Sequence, residues 1–147
     1  MKRIAIQSDD FDVADELAAL EALGGGGVAS FTGVVRGEGG LVALELEHYP
    51  AMTQAQVERI VGDATARWPL LGVSVIHRFG RLEPGARIVF VGTASRHRTA
   101  ALESCAFLID WLKSHAPFWK KEHFESGVTQ WVEARAEDEA KAKGWQA

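Results

Sequence analysis

Two stretches carry side chains that could do chemistry. One is KSHAPFWKKE, residues 113–122, where Lys113, Lys120 and Lys121 surround a Pro-Phe-Trp wedge. The other is Arg96-His97-Arg98. Guanidinium, ammonium and imidazole groups hold phosphates and carboxylates through charge-assisted hydrogen bonds. A lysine drawn partly out of water titrates lower and can act as base or nucleophile. Arg36 is a third element, at the end of a strand-like run and before a glycine-rich turn. If these cations converge, the substrate is an anion. Spacing alone does not show that they do.

Each group also has a plainer reading. Lys113 at a helix C-terminus complements the macrodipole, and its stem can lie along apolar surface. Arg96, His97 and Arg98 could simply reach for water or surface acids at a strand end. His48 and His77 sit on strand-like runs, where a lone histidine reads as a hydrogen-bonded core residue. No His, Cys, Asp or Glu set has metal-ligand spacing, so no metal is expected. The Gly24–Gly27 run lacks the Lys-Ser/Thr of a phosphate loop and reads as a flexible connector.

The elements that must position these groups follow from periodicity. RIAIQ, 3–7, alternates as a strand. Asp9 or Asp10 can cap a helix with Phe11, Ala14, Leu17, Ala18 and Leu20 on its apolar positions. Runs 28–36 and 41–49 read as two strands of a hairpin across GEGG, 37–40. Thr53 can cap a helix whose inner stripe is Val57, Ile60, Val61 and Ala64, closed by Pro69. Strands follow at 72–80 and 87–95, the second apolar on both faces as a central strand would be, with a Pro-Gly turn between.

A helix from about Thr99 to His115 then places Arg96-His97-Arg98 at its start, where unpaired N–H groups and a partial positive charge favour an anion. Lys113 continues the stripe Leu102, Ala106, Ile109 at the edge of that helix's buried face. Pro117 disfavours helix at Ala116. In the extended segment that follows, Phe118, Lys120 and Glu122 share one face, and Trp119 and Lys121 the other. GVTQWVEAR adds a strand and AEDEAKAKGW a short polar helix. Mixed order, with hairpins between helices, is an α+β pattern.

The totals bound the answer further. A chain of 147 residues suits one domain, 1–147, with a core that needs no disulfide or metal. A net charge of −4 argues against a general nucleic-acid binder. Cys105 is the sole cysteine and reads as a small buried hydrophobe. No run has the length of a signal peptide's apolar core or of a membrane span, so a cytoplasmic protein is the expectation.

FTGVVR, LELEHYPAMT, IHRFGRLEPGARIVFVGTASRHRTAALESCAFLIDWLKSHAPFWKKE and WVEAR, in this order, resemble the large, catalytic subunit of molybdopterin synthase. The resemblance runs from about Val28 to Arg135. It implies an α+β fold of hammerhead type, with mixed and antiparallel sheets against packed helices. It also implies a homodimer flanked by a small ubiquitin-like sulfur carrier at each end. The carrier's C-terminal Gly-Gly thiocarboxylate would deliver sulfur to cyclic pyranopterin monophosphate, two transfers building the dithiolene of molybdopterin.

Residue by residue, Lys113 matches the family's essential lysine and Lys120 its second active-site lysine. His97 and Arg98 match the anion-pocket pair. Arg36 matches an arginine supplied across the dimer interface, and Arg135 is a further pocket candidate. Phe118 and Trp119 could wall the channel for the carrier's tail. No cofactor is implied beyond substrate and carrier. The sequence departs at Ala51, where the family usually has glycine, and in the short 37–40 loop.

Two other classes compete. A non-catalytic module that only binds a ubiquitin-like protein would lose nothing without Lys113. A nucleotide- or RNA-binding domain would use the Arg-His-Arg patch and weaken steeply with salt.

Overall fold

The computed structural model describes residues 1–115, 117–132 and 136–145. Its elements alternate along the chain as β1 (Lys2–Gln7), α1 (Val13–Glu21), β2 (Gly27–Val34), β3 (Leu41–His48), α2 (Pro50–Arg67) and β4 (Leu70–Arg78). There follow β5 (Gly80–Leu82), β6 (Arg87–Ser95), α3 (Arg98–Ser114), β7 (Phe118–Phe124), β8 (Thr129–Val132) and α4 (Ala136–Lys143). The fold is α+β, with two four-stranded sheets. The first has the order β1-β4-β6-β2 and the second β5-β3-β7-β8.

The first sheet is the core. β4 and β6 lie at its centre, and both are buried along nearly their whole length. Helix α1 covers one face, where Leu20 packs with Ile76, Phe90 and Ala94. Helices α2 and α3 cover the other, with Val57, Ile60, Val61 and Ala64 meeting Leu108, Trp111 and Leu112. At roughly 25 cal/mol per Å² of apolar surface removed from water, this two-sided burial is the main stabilising term. Cys105 is buried in the α3 face of that core.

Several expectations are corrected. Residues 28–36 and 41–49 are not a hairpin: β2 pairs antiparallel with β6, while β3 pairs with β5 and β7 in the other sheet. Both runs alternate as strands should, but alternation does not choose a partner. The chain changes sheet again between β4 and β5, and Gly80 makes that turn at φ +91, in the left-handed region that glycine enters without steric cost.

Helix starts also differ. Asp12, not Asp9 or Asp10, caps α1 by accepting from the Asp15 N–H at 3.1 Å. Asp10 instead takes the Phe11 N–H and binds Arg87, and that N–H is the first of the groups holding its carboxyl below the usual range. Ala14 and Ala18 are exposed rather than inward. Tyr49 is the N-cap of α2 with Pro50 at its first position, so Thr53 lies inside the helix, fully buried. Proline at that position loses nothing, because its missing N–H would have had no helical partner.

The glycine run is packed rather than flexible. A Cβ on Gly25 would lie 2.4 Å from Ser95 O, one on Gly26 2.6 Å from Arg96 O, and one on Gly27 3.1 Å from Arg98 Cα. Gly26 N–H also donates to Arg96 O at 3.2 Å. The run seats the chain that enters β2 directly against the start of α3.

Candidate active site

Lys113 and Lys120 reach one cavity. Lys113 lies in the last turn of α3, and Lys120 lies on β7. Strand alternation sends Phe118, Lys120 and Glu122 into the cavity wall, together with Leu112, Arg36 and His77. The cavity holds about 270 Å³. Leu41, Leu44, Ile88 and Val132 give it apolar sides.

The other face of β7 points away. Trp119 meets Tyr49 edge-on at 5.1 Å between ring centroids, and Lys121 stands 5.5 Å over Trp131. His123 Nε2 lies 2.8 Å from Glu45 Oε1. So Trp119 does not wall the cavity; Phe118 does. The stripe predicted for Lys113 also needs correcting: Leu102 is 59% exposed and Ala106 is exposed, while Leu108, Trp111 and Leu112 are the buried residues nearest Lys113 in sequence. Lys113 is half-buried beside Leu112 rather than in line with a buried stripe.

Both signs of charge line the cavity among the described residues. Arg36, Lys113 and Lys120 face Glu122 and Asp138, the latter from α4. Glu122 is engaged by Gln130 Nε2 at 3.1 Å. Burial, followed by the charge of Lys113, pushes the Lys120 ammonium down to about 8, against a smaller opposing pull from Asp138. A lysine titrating near 8 gives up and regains its proton easily at physiological pH.

The cavity floor is aromatic. His77 is 5% exposed and stacks flat on Phe118, with ring centroids 3.8 Å apart and planes 13° from parallel. His48 meets the same Phe118 at 5.5 Å and Phe79 at 4.6 Å. Thr53 Oγ1 donates to Tyr49 O at 2.9 Å, so the same oxygen accepts from His48 Nδ1 at 3.0 Å. Burial lowers both imidazoles, His77 to about 3, where Lys120 and Lys113 add to the effect. Both are neutral rings at neutral pH. Sequence reading placed His77 among core histidines, and it is hydrogen-bonded and buried; that it also forms the cavity wall was missed. The available signal was an ionisable side chain inside an otherwise apolar strand.

Arg96, His97 and Arg98 lie elsewhere. They are exposed at the opposite end of α3. Fifteen residues at 1.5 Å each separate Arg98 from Lys113 by about 22 Å. His97 is the helix N-cap and makes no side-chain cap bond, so first-turn N–H groups remain available beside the Arg98 guanidinium. Arg36 reaches the lysine cavity from its own chain, whereas the resemblance assigned it to a partner. Arg135 falls outside the described residues.

A second cavity, of about 370 Å³, lies between α2, α3 and α4. Arg67 there is surrounded by Trp68, Phe107 and Trp145 at 4.9, 5.9 and 5.3 Å. Trp145 Nε1 donates to Asp110 at 2.7 Å, and Arg67 donates to Trp145 O at 2.9 Å. It is larger, but its aromatics are committed to anchoring the end of α4. The smaller cavity gathers the titratable groups and is the better candidate.

Residues 6–115 match the model of a family described as MoaE protein. The molybdopterin synthase catalytic subunit of Mesorhizobium japonicum is 53% identical over 146 residues, covering 97% of this chain and 92% of the relative. That of Pseudomonas aeruginosa is 49% identical over 148 residues, covering 97% and 98%. Among solved structures, a molybdopterin biosynthesis MoaE protein from Burkholderia ambifaria superposes with a TM-score of 0.85 at 46% identity, covering 100% and 99% of the two chains. The molybdopterin synthase of Staphylococcus aureus gives 0.80 at 28% identity, covering 90% and 98%.

Proposed function

The chain belongs to the MoaE protein family, and on that premise we propose that it is the catalytic subunit of a molybdopterin synthase. It converts cyclic pyranopterin monophosphate to molybdopterin, taking sulfur from the C-terminal thiocarboxylate of a small ubiquitin-like carrier. The observation that carries this reading is the convergence of Arg36, Lys113 and Lys120 on one cavity with an aromatic floor. Thiocarboxylate and phosphate are both anions, and three cationic side chains are among the described residues that line this cavity. Its apolar sides suit an extended Gly-Gly tail, which has no side chains to accommodate.

Each transfer replaces a carbon–oxygen bond of the pterin side chain by a carbon–sulfur bond, the oxygen leaving with its own electron pair, and breaks the carbon–sulfur bond to the carrier's acyl carbon. Water supplies the oxygen with which the carrier leaves as a carboxylate. Negative charge gathers on the acyl oxygen during that exchange. Lys113, at the C-terminal end of α3, acts there as acid/base or by electrostatic stabilisation; Lys120 holds anionic charge nearby.

His97 and Arg98 bind the substrate phosphate from a second copy. One chain cannot bring both ends of α3 to one site, so the second copy completes it. Strand β2 supports that arrangement. It is an edge strand, carries no charged residue, and leaves Phe31 and Val34 exposed at 38% and 48%. Unprotected edges of this kind pair readily. Gly27, at its start, lies against Arg98, and Val34 and Arg36, at its end, line the lysine cavity. Seven steps of about 3.3 Å make β2 about 23 Å long, nearly the span from Arg98 to Lys113. Antiparallel pairing of β2 with its copy about a two-fold axis exchanges these ends. It sets one chain's His97 and Arg98 toward the other's Arg36 and Lys113.

No described helix is long and apolar enough to cross a membrane. The chain, 1–147, works as one domain in the cytoplasm. The reading is tested by incubating purified protein with thiocarboxylated carrier and cyclic pyranopterin monophosphate and assaying dithiolene product. Carrier binding without product would favour the non-catalytic partner module.

A further inference from the structure

His77 sits where the first sheet meets the cavity, on β4. Its Nδ1 lies 2.8 Å from Arg78 O, which can only accept, so the proton is on Nδ1 and Nε2 keeps a lone pair. The hydrogen bond fixes the plane of the ring, and that plane carries Phe118. Phe118 opens β7, a strand that belongs to the second sheet. Two residues on, on the same face, is Lys120. The stack is therefore a direct link between the core sheet and the strand that presents the lysine.

We propose that His77 is a positioning residue for Lys120: its uncharged ring, through Phe118, sets where β7 lays the ammonium over the cavity floor and keeps water from beneath it. This rests on the cavity being the active site. Among the described residues, the groups facing this floor are Lys113 from α3, Lys120 and Glu122 from β7, Arg36 after β2, Asp138 from α4 and His48 from β3. A charged imidazole there would stand beside the Lys120 and Lys113 ammoniums, and burial with those two charges keeps His77 neutral down to about pH 3. The low titration of Lys120 has burial as its first cause. His77 and Phe118 line the same cavity as that ammonium, and in this proposal they supply part of its burial. With the floor opened, water reaches the amine and it titrates closer to an ordinary lysine.

The test reads Lys120 itself. The protein is labelled with lysine carrying 13C at Cε, and the Lys120 signal is assigned by its loss in Lys120→Arg. Its shift is then followed against pH without carrier or substrate. The wild-type midpoint is expected near 8. His77→Phe, which keeps a flat neutral ring, leaves it within about 0.3 units, whereas His77→Ala raises it by about one unit or more. Should His77→Ala not fold, Phe118→Leu breaks the same link from the other side and raises the midpoint likewise. A midpoint unmoved by the link-breaking variants, or moved as far by His77→Phe as by them, overturns the proposal. A merely structural histidine would lower the melting temperature without moving this titration. Because the measurement needs no turnover, loss of the synthase reading and loss of the His77 role would be seen separately.

Discussion

Arg98 and Lys113 are the first and next-to-last residues of the same helix, about 22 Å apart. One presents a guanidinium at the helix N-terminus and the other an ammonium at the C-terminus. A single anionic substrate the size of a pterin phosphate cannot touch both within one chain. The shared-site arrangement therefore predicts complementation. Lys113→Ala and Arg98→Ala are each expected to have greatly reduced activity alone. Co-expressed, they form mixed dimers in which one of the two sites carries both wild-type groups. Activity should return to about a quarter of wild type for random pairing of a two-fold dimer. If the mixture stays as inactive as its parents, the site is not shared.

Lys113→Ala should lower kcat by roughly 10²–10⁴, the usual cost of losing a positioned acid or base. The side chain is half-buried at a helix end rather than in the core, so the thermal midpoint should change little. Steady-state assays beside circular dichroism melts check both halves of the expectation.

Lys120 links activity to pH. Its ammonium is pushed down to about 8, so the charged form is lost as pH rises through that value. Turnover that depends on this charge should decline above about pH 8. Lys120→Arg keeps a cation that does not titrate in range, and should flatten the alkaline limb even if its maximum rate is lower. An alkaline limb that persists unchanged in Lys120→Arg would assign that limb to another group.

Acid stability depends on His77. Its pKa is about 3 in the fold against an ordinary 6.5 in the unfolded chain. Between those values the unfolded state binds the proton that the native state refuses. The stabilising contribution is therefore complete above about pH 6.5 and is lost as pH falls toward 3. At its steepest this is about 1.4 kcal/mol per pH unit. Urea midpoints at pH 7 and 4.5 should draw together in His77→Phe relative to wild type.

Gly26→Ala should destabilise the protein by about 1–3 kcal/mol, because its Cβ would lie 2.6 Å from a backbone carbonyl that has little freedom to move. That carbonyl belongs to Arg96, next to His97 and Arg98. A raised KM for the phosphate-bearing substrate should accompany the lower melting temperature.

Local physics was legible in the chain. Alternation after Pro117 correctly put Phe118, Lys120 and Glu122 on one face and Trp119 and Lys121 on the other, because side-chain direction along a strand depends only on parity. The inner stripe of α2 and the two-sided burial of β6 were readable for the same reason: each is a pattern within one element. Partner choice was not. Strands 28–36 and 41–49 satisfy every hairpin signal, yet a neighbour far along the sequence, β6, outcompetes the adjacent one. The caps at Asp12 and Tyr49 were misplaced because several nearby side chains could each have capped those helices.

By itself, then, the sequence determined the element types and the α+β class, since these rest on period and residue type, while the lysines most worth testing were singled out by resemblance to a family. Only the tertiary structure decided that Arg36 shares a cavity with Lys113 and Lys120, and that His97 and Arg98 stand at the far end of α3. It alone turned the glycine run from a connector into a packed seat, and made His77 part of a cavity wall. The physical reason is common to all four. Convergence, close backbone approach and desolvation are set by contacts between residues distant in sequence, and no local period encodes them.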